Sequence, residues 1–80
     1  MSAQKEVFAL KQIGKKLRAY RKANGLTLAE LAKKVDSSLE YMHEIETGKA
    51  RPSLAMLERL SRVLDFRLDL LDAKEGKDVN

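Results

Sequence analysis

Eighty residues without a cysteine allow one domain with a modest core, and exclude disulfide staples and thiolate metal sites. No apolar run approaches the roughly 20 residues of a membrane span and the N-terminus lacks a signal-peptide stretch, so a reducing, cytoplasmic setting is expected. The formal charge of +4 is unevenly placed: residues 1–34 hold nine Lys/Arg against Glu6 and Glu30, while residues 35–80 hold seven against ten acids, so the balance runs from +7 to −3. A basic first half suits a polyanion such as nucleic acid, although lysines also solvate outer helix faces for no other purpose.

Residues 1–6 are polar and are expected to fray. From Val7 to Ala23 the apolar residues Leu10, Ile13, Leu17 and Tyr20 recur at helical spacing and predict an amphipathic helix with lysines outside. Gly14 costs that helix about 1 kcal/mol in propensity, which implies close approach of another backbone. Asn24-Gly25 is a stop. Thr27 then caps a second helix, with Glu30 at the capping-box position and Leu28, Leu31, Ala32 and Val35 on its inner face. Asp36-Ser37-Ser38 interrupts the pattern with turn-forming residues. Ser37 is the expected cap of a third helix, with Glu40 at its box position, Met42 and Ile45 inside, and Gly48 at its end. Two helices of about two turns, joined this tightly, cannot lie antiparallel and must cross steeply, which is a helix-turn-helix.

Pro52 keeps Lys49–Arg51 out of helix, and Ser53 caps a fourth helix with Leu54, Leu57, Leu60 and Leu64 at its buried positions. The expectation is an all-α domain over residues 7–65. Beyond Asp65, Phe66-Arg67-Leu68-Asp69-Leu70 alternates apolar and charged residues with a period of two, a strand signature. A lone strand needs a partner, and the simplest one is the same segment of a second copy. Residues 66–73 are therefore a candidate dimerisation strand with Phe66, Leu68 and Leu70 on its apolar face; the alternative is an extension of the fourth helix, or coil laid over the core. A small core also favours a homodimer on stability grounds. Residues 74–80 are expected to be a flexible tail.

The fragments Leu17-Arg18-Ala19-Tyr20-Arg21, Gly25-Leu26-Thr27, Glu30-Leu31-Ala32, Ile45-Glu46-x-Gly48-Lys49 and Pro52-Ser53-Leu54 together resemble the Xre/Cro family of helix-turn-helix regulators over about residues 10–65. That resemblance implies a bundle of four or five helices, sequence-specific DNA binding, and an ion pair between Arg21 and Glu46. The run Leu64–Lys74 is similar to the end of HipB-type antitoxins. That second likeness implies strands paired across a dimer, a palindromic operator in the protein's own operon, repression of that operon, and a HipA-type kinase toxin as partner.

In a helix-turn-helix the second helix enters the major groove. The candidate base-contacting residues are thus Ser37, Ser38, Leu39, Glu40, Tyr41 and Glu44. Leu39 suits a thymine methyl and Glu40 the N4 amino group of cytosine. Tyr41 has an alternative place at the core edge. Phosphate candidates are Thr27 at a helix N-terminus, with Lys33, Lys34, Lys49 and Arg51, and Lys15 or Lys16 further off. Three departures from the family pattern stand out: the acidic Glu40 and Glu44, Leu28 in place of a common glutamine, and Asp36 in place of a turn glycine. The unusual α-helical surface of Leu39, Glu40 and Glu44 leaves a protein-interaction module with weak DNA binding as the competing reading. His43 is the lone histidine, so no metal or other cofactor is expected, and an exposed Glu40/Glu44 pair without a pocket gives no catalytic site.

Overall fold

A computed structural model describes residues 2–68, which form four helices: α1 (Ser2–Ala23), α2 (Leu28–Lys34), α3 (Leu39–Thr47) and α4 (Leu54–Leu64). Three of the four begin on a side-chain cap. Thr27 Oγ1 accepts from Glu30 N–H at 3.0 Å while Glu30 Oε1 accepts from Thr27 N–H at 2.8 Å, completing the expected capping box. Ser53 Oγ accepts from Met56 N–H at 3.0 Å. At α3 the cap is Ser38, whose Oγ accepts from Tyr41 N–H at 3.0 Å, and not Ser37. Glu40 consequently lies one residue short of the box position.

All four helices end in the same way. A residue in the left-handed region (Gly25, Asp36, Gly48 or Asp65) is followed by an N–H that donates back five residues. These bonds run from Leu26 to Arg21 O, Ser37 to Ala32 O, Lys49 to Glu44 O and Phe66 to Ser61 O, at 2.8–3.2 Å. Asp36, at φ +59°, does at the helix-turn-helix corner what glycine would do, since a short polar side chain tolerates that region.

The core is Leu17 from α1, Leu31, Ala32 and Val35 from the second segment, Met42 and Ile45 from α3, and Met56, Leu60 and Leu64 from α4. Gly14 is where α1 meets α3: a Cβ there would stand 2.6 Å from the Ile45 carbonyl oxygen and 2.8 Å from the Glu46 carbonyl carbon. The expected close backbone approach is present.

The described residues differ from the expectations in four places. Residues 2–6 are helical, because Ala3, Gln4, Lys5 and Glu6 are strong helix formers and the Glu6 carboxylate accepts from Arg51 at 3.1 Å. The inner line of α1 passes through Gly14, Leu17 and Arg21, leaving Ile13 and Tyr20 more than a third exposed. In α4 the buried phase is Met56, Leu60 and Leu64, whereas Leu54 is 52% exposed. Finally, no strand forms among the described residues. Residues 66–68 follow α4 without regular structure, and the Phe66 ring stacks on Tyr20 of α1 at 4.8 Å between centroids and 15° between planes. Phe66 thus packs within its own chain, Leu68 is half-buried, and Leu70 with the rest of the expected strand lies outside the described residues.

Candidate nucleic-acid interface

The site is built on α3, whose nine residues LEYMHEIET divide cleanly by face. Met42 and Ile45 point into the core and Tyr41 packs at its edge, which is the alternative place expected for that ring. At 100° per residue, Glu40 and Thr47 stand opposite the Met42–Ile45 direction, with His43 and Glu44 on either flank. Leu39, in the first turn, is 52% exposed, a large apolar side chain presented to solvent. The outward surface is therefore Leu39, Glu40, His43, Glu44 and Thr47. Among the described residues, no cation pairs with Glu40 or Glu44.

Ser38 and Ser37 differ in what they have free. The Ser38 oxygen accepts the Tyr41 N–H, which leaves its hydroxyl proton available to an outside acceptor. Ser37 donates its hydroxyl to the Ser38 carbonyl at 3.2 Å and is half-buried.

What holds α3 at its angle is the Arg21–Glu46 pair. Arg21 donates from Nε to Glu46 Oε2 at 2.7 Å and from Nη2 to Oε1 at 3.1 Å, and its Nη1 reaches the Leu26 carbonyl at 2.8 Å. Both side chains are nearly enclosed, at 11% and 6% exposure. The fork thus joins α1, the α1–α2 loop and the end of α3. The Glu46 hydrogen bond lifts the Arg21 pKa above its ordinary value, with burial pulling the other way and the carboxylate charge adding to the rise. The guanidinium stays charged throughout the range in which proteins fold.

Around α3 the expected phosphate contacts separate. Thr27, Lys33, Lys49 and Arg51 are exposed. Arg51 is engaged with Glu6, an ion pair open to solvent at 64% and 60% exposure. Lys34 lines an open hollow with Asn24, Leu26 and Val63, on the α4 side of α2. A second hollow, of about 240 Å³, lies where α1, α2 and α3 meet and is lined by Arg18, Arg21, Leu28, His43, Glu46 and Thr47. Leu28 takes part in this junction, packing against the core, and so has a structural use where the family pattern has a polar residue.

Two polar residues position the site through long-range bonds that no local pattern marks. Asn24 Nδ2 donates to Tyr20 O at 2.8 Å and to Leu64 O at 3.1 Å, joining the ends of α1 and α4. Arg59 Nη1 donates to the Val35 carbonyl at 3.1 Å and so ties α4 to the corner between α2 and α3. Among the described residues there is no cluster of three or more metal-ligating side chains, and no helix is long and apolar enough to cross a membrane.

Comparison with known proteins agrees with this architecture. Residues 12–73 match the family described as "Helix-turn-helix domain". The chain is 41% identical over 64 residues to the HTH-type transcriptional regulator SinR of Bacillus subtilis, covering 78% of this chain and 58% of that protein. It is 32% identical over 63 residues to the immunity repressor protein of Bacillus phage phi105, covering 79% and 44%. Among solved structures, the restriction-modification controller protein C.AhdI of Aeromonas hydrophila superposes with a TM-score of 0.71 at 30% identity, over 74% of this chain and 89% of that one. The chain thus spans little more than half the length of the SinR proteins it matches. With its capped α2, its left-handed corner at Asp36 and its buried Arg21–Glu46 fork, the chain belongs to the helix-turn-helix family, in the Xre-like branch.

Proposed function

We propose that this chain is a sequence-specific DNA-binding transcriptional repressor, acting as a homodimer on a palindromic operator without catalysis or cofactor. The observation that carries the reading is the free outward face of α3, held by the Arg21–Glu46 fork next to the capped N-terminus of α2. Relatives named as a transcriptional regulator and a repressor support it.

In this reading α3 lies in the major groove. Leu39, Glu40, Glu44 and the Ser38 hydroxyl meet base edges, with Ser37 and Tyr41 as supports of the helix start. Thr27, Lys33, Lys49 and Arg51 fix the register on phosphates, with Lys34 more distant beside α4. The small core supports a second copy as partner on stability grounds. Two-fold symmetry then sets the half-sites about 34 Å apart. The finer form of the proposal is the antitoxin of a HipB/HipA-like operon, repressing its own promoter and holding a kinase toxin. The likeness of Leu64–Lys74 to antitoxin tails supports that form, and a kinase-like reading frame beside the gene is its cheapest test.

The acidic α3 supports a second reading, a protein-interaction module with weak DNA binding. Titrating the protein onto its own promoter fragment and onto random duplex, from about 50 to 200 mM salt, separates the two. The repressor reading expects retention on the promoter well above random DNA; equal, weak retention on both supports the module instead.

A further inference from the structure

We infer that α3 reads cytosine through Glu40, so that each operator half-site carries a C·G pair at the centre of the α3 footprint. The inference rests on the DNA-binding reading above and names the base it selects.

The argument starts from what α3 lacks. Its nine residues include no Arg, Lys, Asn or Gln. The bidentate contacts that select guanine (Arg or Lys to O6 and N7) and adenine (Asn or Gln to N6 and N7) are therefore unavailable from this helix. What stands at the middle of the outward face is the Glu40 carboxylate, with no cationic partner among the described residues and with Thr47 nearly two turns behind it on the same side.

An ionised carboxylate only accepts hydrogen bonds. Within the major groove the edge donors are the N4 amino group of cytosine and the N6 amino group of adenine. Adenine sets its N7 acceptor beside N6, where a second carboxylate oxygen meets like charge. Cytosine sets only a C–H beside N4. Thymine and guanine offer acceptors alone and repel the group. Cytosine is the base this side chain tolerates best. Leu39, one residue earlier and 52% exposed, adds an apolar contact suited to a thymine methyl on the adjoining pair. The same reasoning gives the acidic surface a use in discrimination, since a carboxylate that costs affinity on most sequences costs least on the matching one.

The test is selection from a duplex library with a randomised core, run in parallel with wild-type protein and Glu40→Gln, each checked by circular dichroism for retained helix. Wild type is expected to enrich cytosine at one position per half-site, by about 10-fold over the other bases. Glu40→Gln, which supplies both a donor and an acceptor, is expected to move the preference at that position to adenine. Enriched sites with no cytosine position, or the same cytosine preference in Glu40→Gln, overturn the inference while leaving DNA binding intact. Failure of wild type to enrich any sequence overturns the DNA-binding reading, and this inference with it.

Discussion

At Gly14, helix propensity and packing make opposite demands. Alanine would favour the helix by about 1 kcal/mol. Its methyl group, however, would sit against the carbonyls of Ile45 and Glu46, main-chain atoms that move only if α3 moves. Packing wins: Gly14→Ala is expected to destabilise by about 1–3 kcal/mol, with Tm lower by at least ~4 °C. A raised Tm in thermal unfolding would count against this account of the α1–α3 contact. Two ion pairs offer a similar contrast. Glu46→Ala strands a nearly enclosed guanidinium and should cost about 3–5 kcal/mol, a large part of the total stability of a domain this size. Glu6→Ala, at a pair open to water, should cost less than ~1 kcal/mol. Urea unfolding of the two variants side by side checks the difference. On DNA, Lys49→Ala should weaken binding to all sequences alike and reduce the steepness of the log–log salt dependence by about 1, as expected for one lost phosphate contact.

Among the elements, boundaries set by local side-chain chemistry were legible in the sequence. Thr27 with Glu30, Ser53, Gly25, Gly48 and Asp65 mark helix ends because each makes its bond within five residues of itself. The start of α3 lies one residue beyond the expected Ser37, since Ser37 and Ser38 are equally able to cap. The decision comes from the corner before them: with Asp36 left-handed, the Ser37 N–H is drawn back to Ala32, and Ser38 is the first residue free to cap. Ser38→Ala should therefore cost about 1 kcal/mol in stability and Ser38→Gly only a few tenths, measured by thermal unfolding. Equal losses would mean that the hydroxyl matters for something other than the cap. The faces of α1 and α4 were harder to read, because each carries apolar residues on more than one side. Leu54 and Ile13 fit the helical period as well as Met56 and Gly14 do, and only the packed neighbours choose between them.

For the molecule as a whole, long-range polar ties were invisible in the sequence. Nothing near Asn24 announces Leu64, forty residues on, and nothing near Arg59 announces the Val35 carbonyl. The Arg21–Glu46 fork is implied by family likeness, whereas charge complementarity alone does not single it out among sixteen Lys/Arg and twelve acids. The tail is a different case, since the expected strand from residue 69 on lies outside the described residues. A period of two was real in the sequence, yet Phe66 finds an apolar partner in Tyr20 of the same chain, so alternation alone did not require a strand. The assembled picture is a small bundle that holds one short helix, rigidly set, at its surface, and the proposal is that this helix meets a duplex. Its most direct test is an amide-resolved NMR titration of the full chain with its own promoter duplex. Shifts concentrated at Thr27–Glu30 and Ser37–Thr47, with α4 little changed, are the predicted result. Shifts confined to α1 and α4 while the amides of α3 stay still would contradict it.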